Sequence, residues 1–153
     1  CGRRVSLLQY LRHGRCHMRE GAGAQPASKT AYQAAFSLLR EARYEEAKQA
    51  FRAFLDNHPQ SPLVPNAWYW LGEVNYVNKN FETAVEQFRK VVDEFPQASK
   101  TADAWLKLGY SHYELGEWTK AKEALSELVE RFPAHSAAGL ASERLERMAR
   151  EGR

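Results

Sequence analysis

At 153 residues, with 44% hydrophobic and 27% charged side chains and a formal charge of +3, the chain suits one compact domain or a short repeat array. No run approaches the roughly 18 consecutive apolar residues of a membrane span, and no apolar stretch with a small-residue cleavage site reads as a secretory signal. The positive charge is gathered at one end, with +5 over residues 1 to 29 and −2 over the remainder, so the folded surface lacks the basic patch that phosphates require and no nucleic-acid partner is expected.

Residues 1 to 28 read as a flexible leader and linker. Both cysteines, Cys1 and Cys16, lie in it, so the rest of the chain folds without disulfides. Cys16 with His13 and His17 offers soft ligands but no paired Cys-x-x-Cys, and no metal site is expected. His17-Met18 looks like a cloning junction, which makes residues 1 to 17 vector-derived, and Gly21 to Ser28 has the small, polar composition of a linker.

From Lys29 onward apolar residues recur at helical spacing. Ala31, Ala34, Ala35 and Leu38 form one stripe, and Ala47, Phe51, Phe54 and Leu55 form another after a turn around Arg43; the pair is a helical hairpin. Further hairpins turn at Asn78-Lys79-Asn80 and at Leu115-Gly116-Glu117, where Asn and Gly tolerate left-handed backbone. Each second helix stops before Pro59, Pro96 or Pro133. Ser61, Ser99 and Ser136 are N-cap candidates for the helices that follow, and Pro62 suits a first helical position. Leu140, Leu145 and Met148 mark a last amphipathic helix over about 136 to 150.

The hairpins are copies of one unit. Ala67-Trp68-Tyr69-Trp70-Leu71-Gly72 returns 37 residues later as Ala104-Trp105-Leu106-Lys107-Leu108-Gly109, and the same shift carries Phe81 to Trp118, Ala84 to Ala121 and Pro96 to Pro133. Stepping back by it reaches Tyr44, Ala47 and Pro59. The repeats run over about 29–64, 65–101 and 102–138.

Trp68-x-x-Leu71-Gly72, Ala84-x-x-x-Phe88 and Pro96, repeated as Trp105-x-x-Leu108-Gly109, Ala121-x-x-x-Leu125 and Pro133, resemble the tetratricopeptide (TPR) pattern. The first copy is degenerate, with Ala31, Ala34 and Ala35 in place of Trp, Leu and Gly, and the pattern's first-helix Tyr is replaced throughout by Leu38, Asn75 and His112. The resemblance implies an all-α fold: a TPR helical-hairpin superhelix of three repeats plus a C-terminal capping helix. The period exceeds the usual TPR value of about 34 residues. With Tyr69-Trp70-Leu71-Gly72-Glu73, Phe95-Pro96-Gln97-Ala98-Ser99 and Phe132-Pro133, it resembles the C-terminal domain of the Tol-Pal-associated cell division coordinator (CpoB, or YbgF) family. That resemblance implies a periplasmic location in Gram-negative bacteria, binding to TolA, and coordination of a peptidoglycan synthase with outer-membrane constriction during cell division. The family's signal peptide and N-terminal trimerising coiled coil have no counterpart in this sequence.

Small residues are expected where the paired helices meet: Ala35 opposite Ala47, Gly72 opposite Ala84, Gly109 opposite Ala121. Trp68, Phe88, Trp105 and Leu125 are expected in the core, and Trp70 has no assigned role. Counting from the Trp positions around each first helix places Tyr32, Phe36 and Leu39, then Tyr69, Glu73 and Tyr76, then Leu106, Tyr110 and Tyr113 on an inner face. Tyr32, Phe36, Tyr69, Glu73, Tyr76, Leu106, Tyr110 and Tyr113 are therefore the candidate partner-binding groove, since rows of rings bury area at low entropic cost. The expected occupant is an apolar segment with a basic flank that meets Glu73 and Glu114. Self-association, as a structural unit of an outer-membrane assembly complex, is the alternative. His58, His112 and His135 are scattered and no phosphate-cradling Gly loop occurs, so neither catalysis nor a cofactor is expected.

Overall fold

The computed structural model describes residues 26–153. Seven helices and no strand are found among the described residues: α1 (Pro26–Arg40), α2 (Tyr44–Asn57), α3 (Val64–Val77), α4 (Phe81–Glu94), α5 (Thr101–Glu114), α6 (Trp118–Arg131) and α7 (Ser136–Arg150). None of these helices is long and apolar enough to cross a membrane. The chain divides into two compact units, one ending at Val64 and one from Pro65 to Arg153. The leader residues up to 25, with Cys1, Cys16, His13 and His17, lie outside the described residues. α1 begins at Pro26, ahead of the start at Lys29 that periodicity suggests, because proline lacks only an N–H that the first turn leaves unbonded anyway.

The three hairpin turns share one backbone solution. Ala42, Lys79 and Gly116 stand at φ 61°, 64° and 75°. At each, the next residue donates five positions back (Arg43 to Leu38, Asn80 to Asn75, Glu117 to His112, at 3.0, 2.8 and 2.9 Å) while the left-handed residue itself donates three back. This is the Schellman closure of a helix. The left-handed residue in the second turn is thus Lys79, flanked by the two Asn that were expected to supply it. Gly152, at φ 77°, closes α7 the same way, with Arg153 N–H donating to the Met148 carbonyl at 2.8 Å.

The second helices end as the prolines dictate. His58, Phe95 and Phe132, each directly before a Pro, leave helical geometry at φ near −130°. The serines play different parts from those expected. Ser61 Oγ accepts from Leu63 N–H before α3, the N-cap of α5 is Lys100, and His135 caps α7 by accepting from Ala137 N–H at 3.0 Å.

In the first unit, α1 packs on α2 through Ala35, Ala47, Phe51 and Phe54, all buried. In the second, α4 packs on α5, α5 on α6, and α7 on both α5 and α6. One cluster joins Tyr69, Ala84, Phe88, Val91, Val92, Ala104, Leu108 and Ala124, and a second joins Leu106, Ala121, Leu125, Leu128, Ala137, Ala141 and Met148. α7 thereby covers the last hairpin. Trp68 and Trp105 are half-buried against these clusters, with Lys90 and Arg131 lying over their rings at 5.4 and 5.6 Å.

The residues that replace the pattern's Tyr explain themselves here. Asn75, fully buried, donates to the Leu71 carbonyl at 3.1 Å and to Gln87 Oε1 at 2.7 Å, tying α3 to α4. One repeat later, His112 Nδ1 lies 2.7 Å from Glu117 Oε1 beside the turn. Buried polar groups of this kind usually find local partners, and the second and third copies do so differently, Asn75 with Gln87 and the Nδ1 side of His112 with Glu117, while His112 Nε2 has none.

Candidate functional site

Within the first unit, Tyr32 and Phe36 lie on successive turns of α1, with near-parallel rings 6.3 Å apart. The Tyr32 ring also meets Phe51 and Phe54 edge-on at 5.8 Å, so it is part of the hairpin packing as well as of any outer face. Arg40 lies over Phe36 at 5.6 Å.

Within the second unit, the candidate residues separate by depth. Tyr69 and Leu106 are only 5% exposed and belong to the two core clusters. They were expected to be exposed on an inner face; instead they are buried in the core, since each lies on a helix covered on more than one side. Tyr76, Tyr110, Tyr113 and Glu73 are half-buried. Trp70, without a role in the sequence, stands edge-on to Tyr69 at 5.0 Å and beneath Lys100, whose ammonium is 4.8 Å from its ring centre.

Every ring on this face has a cation over it. Lys107 Nζ lies 4.9 Å from the Tyr76 ring, Lys100 Nζ 5.1 Å from Tyr69, and the Arg144 guanidinium 4.1 Å from Tyr110 and 4.8 Å from Tyr113. Such pairs contribute about 0.5–2 kcal/mol each, more as water is excluded. Arg153 extends the row, 4.0 Å over Trp118, which itself meets Tyr113 edge-on at 5.1 Å.

The carboxylates are engaged. Glu73 accepts from the Tyr69 hydroxyl at 2.8 Å and pairs with Lys107 at 3.0 Å, so it does not offer the free negative charge expected for a basic flank. Glu114 stays exposed. Burial first, and then the charge of Glu73, pushes the Tyr69 hydroxyl far above the ordinary phenol value; burial and Glu114 move Tyr76 the same way. Glu151 accepts from Tyr113 at 2.7 Å and from Arg147 at 2.9 Å, and these bonds hold its carboxyl below the usual range.

The histidines occupy separate structural posts. His58 lies against the Phe54 ring at 5.4 Å, His112 is buried on Glu117, and His135 caps α7. What the face presents is aromatic area under cations, a chemistry suited to holding a polypeptide segment. Sequence reasoning missed Trp70, Lys100, Lys107, Arg144 and Arg153. The one signal available was spacing: Lys107 and Arg144 stand one 37-residue shift apart.

Family comparison matches two tetratricopeptide-repeat models, over residues 32–99 and 103–135. Among curated proteins, the cell division coordinator CpoB of Pseudomonas putida is 47% identical over 53 residues, which is 35% of this chain and 20% of that protein. The Escherichia coli cell division coordinator CpoB is 44% identical over 50 residues, 32% of this chain and 19% of that protein. The matched stretch thus spans about a fifth of these relatives. Among solved structures, the Sgt2 TPR domain from Aspergillus fumigatus superposes with a TM-score of 0.70 at 19% identity, covering 85% of this chain and 83% of that one. At that identity the likeness is one of fold.

Proposed function

From a chain that belongs to the tetratricopeptide-repeat family, we propose a non-catalytic protein-interaction module of the Gram-negative cell envelope, acting in cell division. The observation that carries this reading is the 44–47% identity to cell division coordinators of two species. In this reading the chain works in the periplasm, binds TolA, and couples a peptidoglycan synthase to outer-membrane constriction. The half-buried tyrosines of α3 and α5 supply the docking surface, with Tyr32 and Phe36 a second aromatic site on the first unit. No reacting group is required of either.

Calorimetric titration with a TolA fragment tests it. Binding that weakens at least about tenfold in Tyr76→Ala and Tyr110→Ala, with helicity unchanged, is expected, because ring truncation at a binding hot spot costs about 2 kcal/mol or more. Absence of binding by the folded wild-type chain sinks the assignment to TolA.

A further inference from the structure

The repeat symmetry of the second unit exposes a missing charge. Lys107 reaches back to two residues of the preceding first helix: it stacks on Tyr76, 31 positions earlier, and pairs with Glu73, 34 positions earlier. Arg144, one 37-residue shift beyond Lys107, reaches back by the same two intervals, to Tyr113 and to Tyr110. The ring is conserved in the geometry and the carboxylate is not, because Tyr110 occupies the place that Glu73 holds one repeat before.

Arg144 is left with two rings and no acceptor. Its Nη1 is shut off from water and has no hydrogen-bond partner, a costly state for a guanidinium nitrogen. The neighbouring carboxylate of the cap, Glu151, is already taken by Tyr113, Arg147 and Arg153. Two aromatic faces hold the guanidinium in place with Nη1 closed off, so Nε and Nη2, the donors left open, are pre-oriented along one edge, which is an arrangement that binds a carboxylate by two bonds at once.

We propose that Arg144 is the anchor for a carboxylate brought by the bound partner, an Asp or Glu side chain of an acidic segment that lies across Tyr76, Tyr110 and Tyr113. The proposal rests on the reading of this face as a protein-binding surface, and reverses the polarity expected from the sequence. The incoming side chain restores what Glu73 supplies to Lys107 one repeat earlier.

Titrate the whole chain with a labelled peptide of Leu, Ala and Glu, and with its counterpart carrying Gln for every Glu. The wild type should prefer the Glu peptide. Arg144→Gln should lose about tenfold or more of its affinity for that peptide and keep its affinity for the Gln version, since charge-assisted bonds to a guanidinium are the strong ones. Arg144→Lys, which keeps the charge but not the fork, should also lose affinity and serves if Arg144→Gln melts below the working temperature. Equal affinity of wild type and both variants for the Glu peptide, or no wild-type preference between the peptides, overturns the anchor. A TolA fragment titrated in parallel separates the two claims: its failure to bind removes TolA while the peptide result still decides Arg144.

Discussion

Gly72 lies directly under the ring of Phe88, so close that a methyl group on its α-carbon would come within 2.6 Å of Cε1. Gly109 bears the same relation to Leu125, at 2.5 Å. The tightest approach is therefore to the residue four positions beyond Ala84 or Ala121, one helical turn further along than the small-on-small contact implied by the sequence, although a methyl on Gly109 would also meet the Ala121 carbonyl at 3.5 Å. Gly72→Ala should lower stability by about 1–2 kcal/mol, the overpacking outweighing the gain in helix propensity. Gly139, in α7 with nothing within 4 Å, is the control: Gly139→Ala should raise stability by about 0.5–1 kcal/mol. Urea denaturation of the two variants should give shifts of opposite sign.

The left-handed turn residues predict a second pair of opposite signs. Lys79 holds φ 64° with a side chain that disfavours it, whereas Gly116 holds φ 75° at no steric cost. Lys79→Gly should stabilise by about 0.5–1 kcal/mol and Gly116→Ala should destabilise by about 1 kcal/mol. Thermal melts are sufficient to read both.

Asn75 and Gln87 form a buried pair that the first hairpin replaces with Leu38 and Ala50. Asn75→Leu alone strands the Gln87 amide and should cost about 1–3 kcal/mol. Adding Gln87→Ala copies the first hairpin and should recover most of the loss. A double-mutant cycle with no coupling would show that the hydrogen bond contributes nothing specific.

Much of the fold was legible because its punctuation is local. Pro59, Pro96 and Pro133 end helices wherever they occur, and the Trp, Gly and Ala spacing reports a hairpin that closes on itself. The face of each residue was harder. On α3, Ala67, Tyr69, Leu71, Gly72, Val74 and Asn75 are all buried, so the burial runs round most of the helix and no periodicity distinguishes the outer side from the inner. Tyr69, which its spacing assigns to an exposed face, is buried for that reason. Arg144 was invisible for another: its partners, Tyr110 and Tyr113, stand more than thirty positions away, and a charged residue on an amphipathic helix ordinarily faces water.

Tyr69 also carries a pH dependence. Its hydroxyl is buried and bonded to Glu73, which raises its native pKa well above the unfolded phenol. A group raised on folding stabilises fully below its unfolded value, near 10, and that contribution fades as pH climbs from there toward the native value. Stability of the wild type should therefore fall above pH of about 10, by up to about 1.4 kcal/mol per pH unit from this one proton. Tyr69→Phe should show a shallower alkaline loss in urea titrations at rising pH. Identical alkaline slopes would place the effect elsewhere. Tyr69→Ala, by contrast, would open a core cavity and cost about 3–5 kcal/mol, so Tyr76 and Tyr110 are the better probes of binding.

The turn at Gly152 has a constructive use. Its backbone bonds are those that send the chain from first to second helix after Ala42, Lys79 and Gly116. Arg144 follows Lys107 by the 37-residue shift, whereas Gly152 follows Gly116 by 36, so the turn after α7 comes one residue early. A designer fusing a copy of the Trp118–Arg131 segment after Arg153 would inherit a ready-made elbow, and could lengthen the array by one module once the single missing residue of the register is restored.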